Sequence, residues 1–205
     1  MLNRIVLSAL LFCTAQGIFA QVDSTQMEKT IPTNPEVVVD TSTEVILPNP
    51  EFTPEPGPIL GAAALQRQKW YTNIQEAISN PEKVYKLSLS GQKLKEVPRD
   101  LLYFPNIQVL DLGNNKIKLL PEDIALLKNL QVLIMTKNHL RYLPESMKDM
   151  EHLHTLFIAN NRLVEFPAWL GGLSKLRTLN VSNNNLTTYD IKLLEYQLPR
   201  CEVIH

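Results

Sequence analysis

His152 and His154, two residues apart, bring two imidazoles close in sequence, and such a pair supplies two of the four ligands a structural zinc ion takes. No third ligand falls in phase with them, so the pair alone makes no metal centre. Asp111 and Glu122 have the separation of the first and last ligands of a calcium loop, yet Gly113 and Lys116 stand where that loop needs a ligand and a glycine. The chain holds no Gly-x-Ser-x-Gly, no phosphate-cradling glycine loop, no Cys-x-x-Cys and no His-Glu-x-x-His. Those are the arrangements that build a nucleophile, a nucleotide site, a redox pair or a zinc hydrolase. The expectation is a protein that is not an enzyme, with no catalytic residue, no cofactor and no metal. Asn180-Val181-Ser182 and Asn185-Leu186-Thr187 would be glycosylation acceptors only in a eukaryotic secretory pathway.

Charge offers a different kind of chemistry. Lys93, Lys116, His139 and Arg162 recur at a fixed interval, with Lys95, Lys118 and Arg141 two residues further along in the first three cases. Like charges stacked this way repel, so the ladder is a candidate site for a polyanion such as a surface polysaccharide. The formal net charge of −1 and the interleaved Glu96 and Glu165 stand against any such site, whether for an acidic partner, a glycan or nucleic acid, the last being the least expected. The plainer reading is a solvated loop.

The interval itself is the most informative property of the chain. Val84, Ile107, Leu130, Leu153 and Leu176 open five blocks spaced 23 residues apart, and a period in this range is the mark of a solenoid. Each block reads aliphatic-x-x-aliphatic-x-aliphatic-x-x-Asn-x-aliphatic, as in Ile107, Leu110, Leu112, Asn115 and Ile117, and closes on aliphatic-Pro-x-x-aliphatic-x-x-aliphatic, as in Leu120, Pro121, Ile124 and Leu127. The alternation at Leu110-x-Leu112 is strand-like, so both leucines face one side and Asp111 the other. Strands of successive turns then stack in parallel. Asn115, Asn138, Asn161 and Asn184, with Gln92 in the first block, place a side-chain amide where the turn leaves backbone groups unpaired. Pro98, Pro121, Pro144 and Pro167 fix one backbone angle and donate no N–H, which predicts an irregular or short-helical return on the convex side. No turn buries its apolar face alone.

Outward strand positions are where binding would be written. They are Lys86, Val109, Val132, Thr155 and Thr178 in one row and Ser88, Asp111, Ile134, Phe157 and Asn180 in the next. Val109, Val132, Ile134 and Phe157 would adjoin as an apolar patch on a solvated face, flanked by Asp111 and Asn180, and such patches mark docking sites. The alternative is that β-branched residues simply suit strands.

Three segments flank the array. Met1 to Ala20, with Arg4 before an apolar run from Ile5 to Ala15, resembles a cleavable secretory signal and is too short to span a bilayer, so no transmembrane span is expected after cleavage. Leu10-Leu11-Phe12-Cys13 resembles a lipoprotein box, but Phe12 is bulky where a small residue belongs. Residues 21–61 hold seven of the chain's 14 prolines, and seven acidic residues face only Lys29, which predicts a disordered acidic linker. From Ala62, apolar residues three or four apart predict a cap helix within residues 62–83, with repeats filling 84–205. Leu198, Cys201 and Val203 repeat the strand phase once more, as a closing strand over 198–205. That phase would bury Cys201 as a reduced structural thiol, and with Cys13 lost no internal disulfide is possible.

Val84 to Arg200 resembles the short bacterial leucine-rich repeats with the Leu-Pro-x-x-Ile signature, and Asn80-Pro81-Glu82-Lys83-Val84-Tyr85-Lys86-Leu87 is similar to the lead-in of exported members from Bacteroidota-type bacteria. The resemblance implies an α/β solenoid with a parallel concave sheet. It also implies a binding module, since such proteins mostly dock other proteins on the concave face and share no catalytic residues. The expected function is thus a non-catalytic protein-interaction module outside the cytoplasm, periplasmic, surface-bound or secreted. The alternative is a cell-envelope structural protein that binds a polyanion through the basic ladder.

Overall fold

The computed structural model describes residues 55–205, all within one compact unit. The expected signal segment, Cys13 and residues 21–54 of the expected linker lie outside the described residues. Seven strands form one parallel sheet in chain order: β1 (Trp70–Tyr71), β2 (Lys86–Ser88), β3 (Val109–Asp111), β4 (Val132–Ile134), β5 (Thr155–Phe157), β6 (Thr178–Asn180) and β7 (Glu202–Ile204). From β2 to β6 the register advances by one whole block, Lys86 to Val109 to Val132 to Thr155 to Thr178. Identical blocks therefore superimpose, and Leu87, Leu110, Leu133, Leu156 and Leu179 line up fully buried behind the sheet.

The return segments are short 3-10 turns at Arg99–Tyr103, Glu122–Leu126, Glu145–Asp149 and Ala168–Gly172, each preceded by its proline in extended conformation. Proline has no N–H to leave orphaned at a helix start. The fifth block has Asp190 in place of proline and departs from the pattern. It forms a ten-residue helix, Thr188–Gln197, capped by a reciprocal box in which Thr187 and Asp190 bond each other's backbone N–H. Hydrogen bonds from the Thr187 hydroxyl and from its N–H hold the Asp190 carboxyl below its ordinary range. Among the described residues no helix is long and apolar enough to cross a membrane.

Asparagines tie the turns together. The Asn138 side-chain oxygen accepts from Ile117 N–H at 3.0 Å, and its amide nitrogen donates to Leu112 O at 2.9 Å and Met135 O at 3.1 Å. Asn115, Asn161 and Asn184 repeat the arrangement on Leu94, Leu140 and Leu163. Gln92, with a longer side chain, is exposed and reaches Thr72 O instead. The residue before each asparagine is left-handed: Asn114, Lys137, Asn160 and Asn183 have φ of 53°, 59°, 56° and 56°.

The N-terminal end differs from the expected single helix. Two short helices, Ala62–Arg67 and Ile74–Ile78, flank β1, which adds a strand to the sheet. Residues 55–61, assigned above to the linker, are instead held against the second and third turns. Gly57 N–H donates to Asn106 Oδ1 at 2.6 Å, Asn129 Nδ2 donates to Gly57 O at 2.9 Å, and Leu60 N–H donates to Gln108 Oε1 at 3.2 Å. A β-carbon on Gly57 would meet Asn106 Oδ1 at 2.9 Å, so a larger residue there requires the Asn106 side chain to give way. Side-chain amides reading main-chain groups leave no periodic signal in the strapped segment, and its prolines and acids resemble any linker.

The closing strand is also shifted. Thr178 pairs with Glu202, one residue beyond the regular step, so Val203 rather than Cys201 sits opposite Leu179. Cys201 therefore falls before the strand and is half-buried, not covered. Desolvation still pushes its thiol up, with Arg177 opposing and Glu202 adding to the shift.

Candidate functional site: the concave sheet face and its basic edge

Parallel register with no slip brings the outward residues of neighbouring turns side by side. Val109 stands beside Val132, and Ile134 beside Phe157, all four half-buried. Their alternation partners Leu110, Leu133 and Leu156 are fully buried, so the two faces of the sheet are assigned without ambiguity. Thr155 and Thr178 continue the valine row.

The patch has polar ends. Asp111 accepts from Ser88 Oγ at 2.9 Å and from Gly113 N–H at 2.8 Å, and Asn180 Oδ1 accepts from Ser182 N–H at 3.1 Å and Ser182 Oγ at 2.8 Å. Both side chains are fixed by these local bonds and remain half-exposed, so they frame the patch as oriented acceptors. Sequence reasoning missed the wall on its N-terminal side. Lys86, expected in the outward row, is only 7% exposed, because its ammonium donates to Gln66 O at 3.1 Å and lies over the Trp70 ring at 5.3 Å. Cap residues thus cover the Lys86 end of β2, and the open surface runs from there through β3–β6 to Glu202 and Ile204 of β7, which are exposed beside Thr178 and Asn180.

The basic positions lie elsewhere, on the loops that follow the asparagines. Lys93, Lys95, Lys116, Lys118, Arg141 and Arg162 are all exposed, and among the described residues none of them forms an ion pair. His139 is half-buried with Nδ1 at 3.0 Å from Asn138 O. The imidazoles of His152 and His154 diverge. His152 Nδ1 pairs with Lys175 Nζ at 3.1 Å, whereas His154 contacts Thr155 and Gln131 and is held below its usual range by burial and by Arg177. A recess of about 460 Å³ on the convex side, between the 99–103 and 122–126 turns, is lined by Glu96, Arg99, Leu101, Leu120, Ile124 and Leu127.

Solved structures with the same architecture include a leucine-rich repeat protein of Leptospira interrogans, 28% identical with a TM-score of 0.60 over 67% of this chain and 35% of that one. Internalin C2 of Listeria monocytogenes is 30% identical with a TM-score of 0.54, over 67% of this chain and 57% of that one. TLR13, solved as a complex with ssRNA13, is 26% identical with a TM-score of 0.55, over 65% of this chain and 20% of that one. The chain thus spans about a third of the Leptospira protein's length and just over half of internalin C2. No curated protein sequence matches it. Residues 78–198 match the family model described as a leucine-rich repeat region, and with five in-phase blocks stacked as one parallel sheet the chain belongs to the leucine-rich repeat family.

Proposed function

We propose that this protein is a non-catalytic interaction module that docks another protein on the concave face of its sheet, at Val109, Val132, Ile134 and Phe157. The observation that carries this reading is the register that makes those four residues adjoin on the solvent side. Half-buried apolar side chains on a sheet face desolvate readily when a partner covers them. Asp111 and Asn180, oriented by their local hydrogen bonds, supply acceptors at the rim. The fold family supports binding over catalysis, because leucine-rich repeats serve as docking scaffolds. Action outside the cytoplasm, in a Bacteroidota-type bacterium, rests on the signal-like residues 1–20 and the Asn80–Leu87 lead-in.

The test is photocrosslinking on the purified chain, with the crosslinking residue at position 157 or, as a control, at the exposed Lys192 on the C-terminal helix. Exposure is to an extract of the producing organism. A discrete adduct at 157, absent at 192 and suppressed by Ile134→Asp, is the expected result. Adducts of equal yield at both positions would dismiss the concave face as the docking surface.

A further inference from the structure

A second surface runs along the edge of the solenoid that follows the asparagines. Here the chain alternates again: Lys116, Lys118, Arg141, Arg162 and Val164 are exposed, while Ile117, Leu140 and Leu163 between them are fully buried. Backbone bonds join these loops from turn to turn, Lys116 N–H to Leu94 O at 2.7 Å, His139 N–H to Ile117 O at 2.8 Å and Arg162 N–H to Leu140 O at 2.8 Å. The outward side chains are therefore held in register, along one edge, by a rigid frame.

Exposed apolar side chains adjoin the cations. Leu119 is 65% exposed, Tyr142 52% and Val164 47%, and Leu119 and Tyr142 occupy the same position of successive blocks. Lys95, Lys116, Lys118 and Leu119 line one open recess of about 430 Å³ together with Glu96 and His139. Glu96 and Glu165 end the Leu119–Tyr142 row on either side. Unpaired cations alone would suit any polyanion, but a soluble glycan gives no reason to hold a leucine two-thirds exposed beside them.

We propose that this edge lies against an anionic lipid surface, with Lys95, Lys116, Lys118, Arg141 and Arg162 meeting phosphate headgroups and Leu119, Tyr142 and Val164 entering the headgroup layer. Long cationic side chains reach phosphates while their neighbours sink, as in interfacial amphipathic helices. Neighbouring turns contribute equivalent positions 23 residues apart, joined by backbone bonds, so several contacts are made at once with one surface. The concave face stays free, and the assignment does not depend on the docking surface proposed above.

The test uses the chain from Gln21 onward, whose core is continuous from Tyr71 to Leu198. It is centrifuged with vesicles of phosphatidylglycerol in phosphatidylcholine and with phosphatidylcholine alone, and its binding to dextran sulfate is measured beside them. Sedimentation with the anionic vesicles only, released by added salt, is expected. Lys118→Glu with Arg141→Glu abolishes it. Leu119→Ser with Tyr142→Ser weakens it by about tenfold while dextran sulfate binding is unchanged, and Phe157→Ala leaves it intact. Failure to sediment with anionic vesicles, equal binding to neutral ones, loss through Phe157→Ala, or indifference to either double variant overturns the proposal; indifference to the Leu119 and Tyr142 pair alone would make the edge a polyanion site.

Discussion

Asn138 holds Ile117 across one full turn of the solenoid: its side-chain oxygen takes the buried Ile117 N–H at 3.0 Å while its own amide reaches back to Leu112 O. One side chain thereby satisfies backbone groups of two turns, and both partners are fully buried. Asn138→Ala leaves the buried Ile117 N–H without a partner, at a cost of about 1–3 kcal/mol, while Leu112 O keeps the Asn115 amide and Met135 O the Asn161 amide. Lys137 next door is exposed and left-handed with φ 59°. Lys137→Ala should therefore be near neutral and Lys137→Gly stabilising by about 1 kcal/mol. Chemical denaturation of the three variants checks the order, and equal small losses would contradict the ladder.

Gly57 and Asn106 define a second contact with a sharp steric consequence. Gly57→Val puts a β-carbon 2.9 Å from Asn106 Oδ1, so the Asn106 side chain must shift and its bond to residue 57 weakens. Hydrogen exchange at Gly57 and Leu60 should accelerate in that variant, and limited proteolysis of the unaltered chain should leave a resistant core that begins near Glu55 rather than Ala62. A core starting at Ala62 in both proteins would show that the strap is not held in solution.

Phe157 and Leu156 are neighbours on opposite faces. Leu156 is fully buried, so Leu156→Ala should cost about 2–5 kcal/mol. Phe157 is half-buried on the open side, so Phe157→Ala should change stability little and remove partner capture. Thermal unfolding of both variants distinguishes the faces, and similar losses would refute the assignment.

Asp190 gives the solenoid's last helix a pH-dependent cap. Its carboxyl is depressed by the hydrogen bonds from Thr187, so its stabilisation is fully present above the ordinary aspartate range and disappears as pH falls through the lower folded value. Asp190→Asn should melt below the parent protein near neutrality, with the two curves converging in acid. A difference that persisted unchanged at low pH would mean that the charge on Asp190 plays no part.

Periodicity made the repeats, the buried leucines and the asparagine ladder legible, because each block solves the same local problem: two inward side chains on a strand, an amide at the turn, a proline at the return. The outward rows followed from strand alternation alone. Where blocks meet unlike neighbours, the sequence misled. Cys201 reads as an inward residue two before Val203, but the longer fifth turn carries the C-terminal helix and moves Val203 opposite Leu179. Lys86 reads as exposed until the cap folds over it.

The strap is the clearest case of tertiary decision. Residues 55–61 have no pattern of their own, since their main-chain groups are read by Asn106, Gln108 and Asn129, far off in sequence. The sequence by itself determined the solenoid, its phase and which residues face outward, because those depend on short-range alternation repeated many times. Only the tertiary structure decided where the concave face stops, which end residues are covered and which cations lack partners, because those depend on single contacts between segments that no period relates.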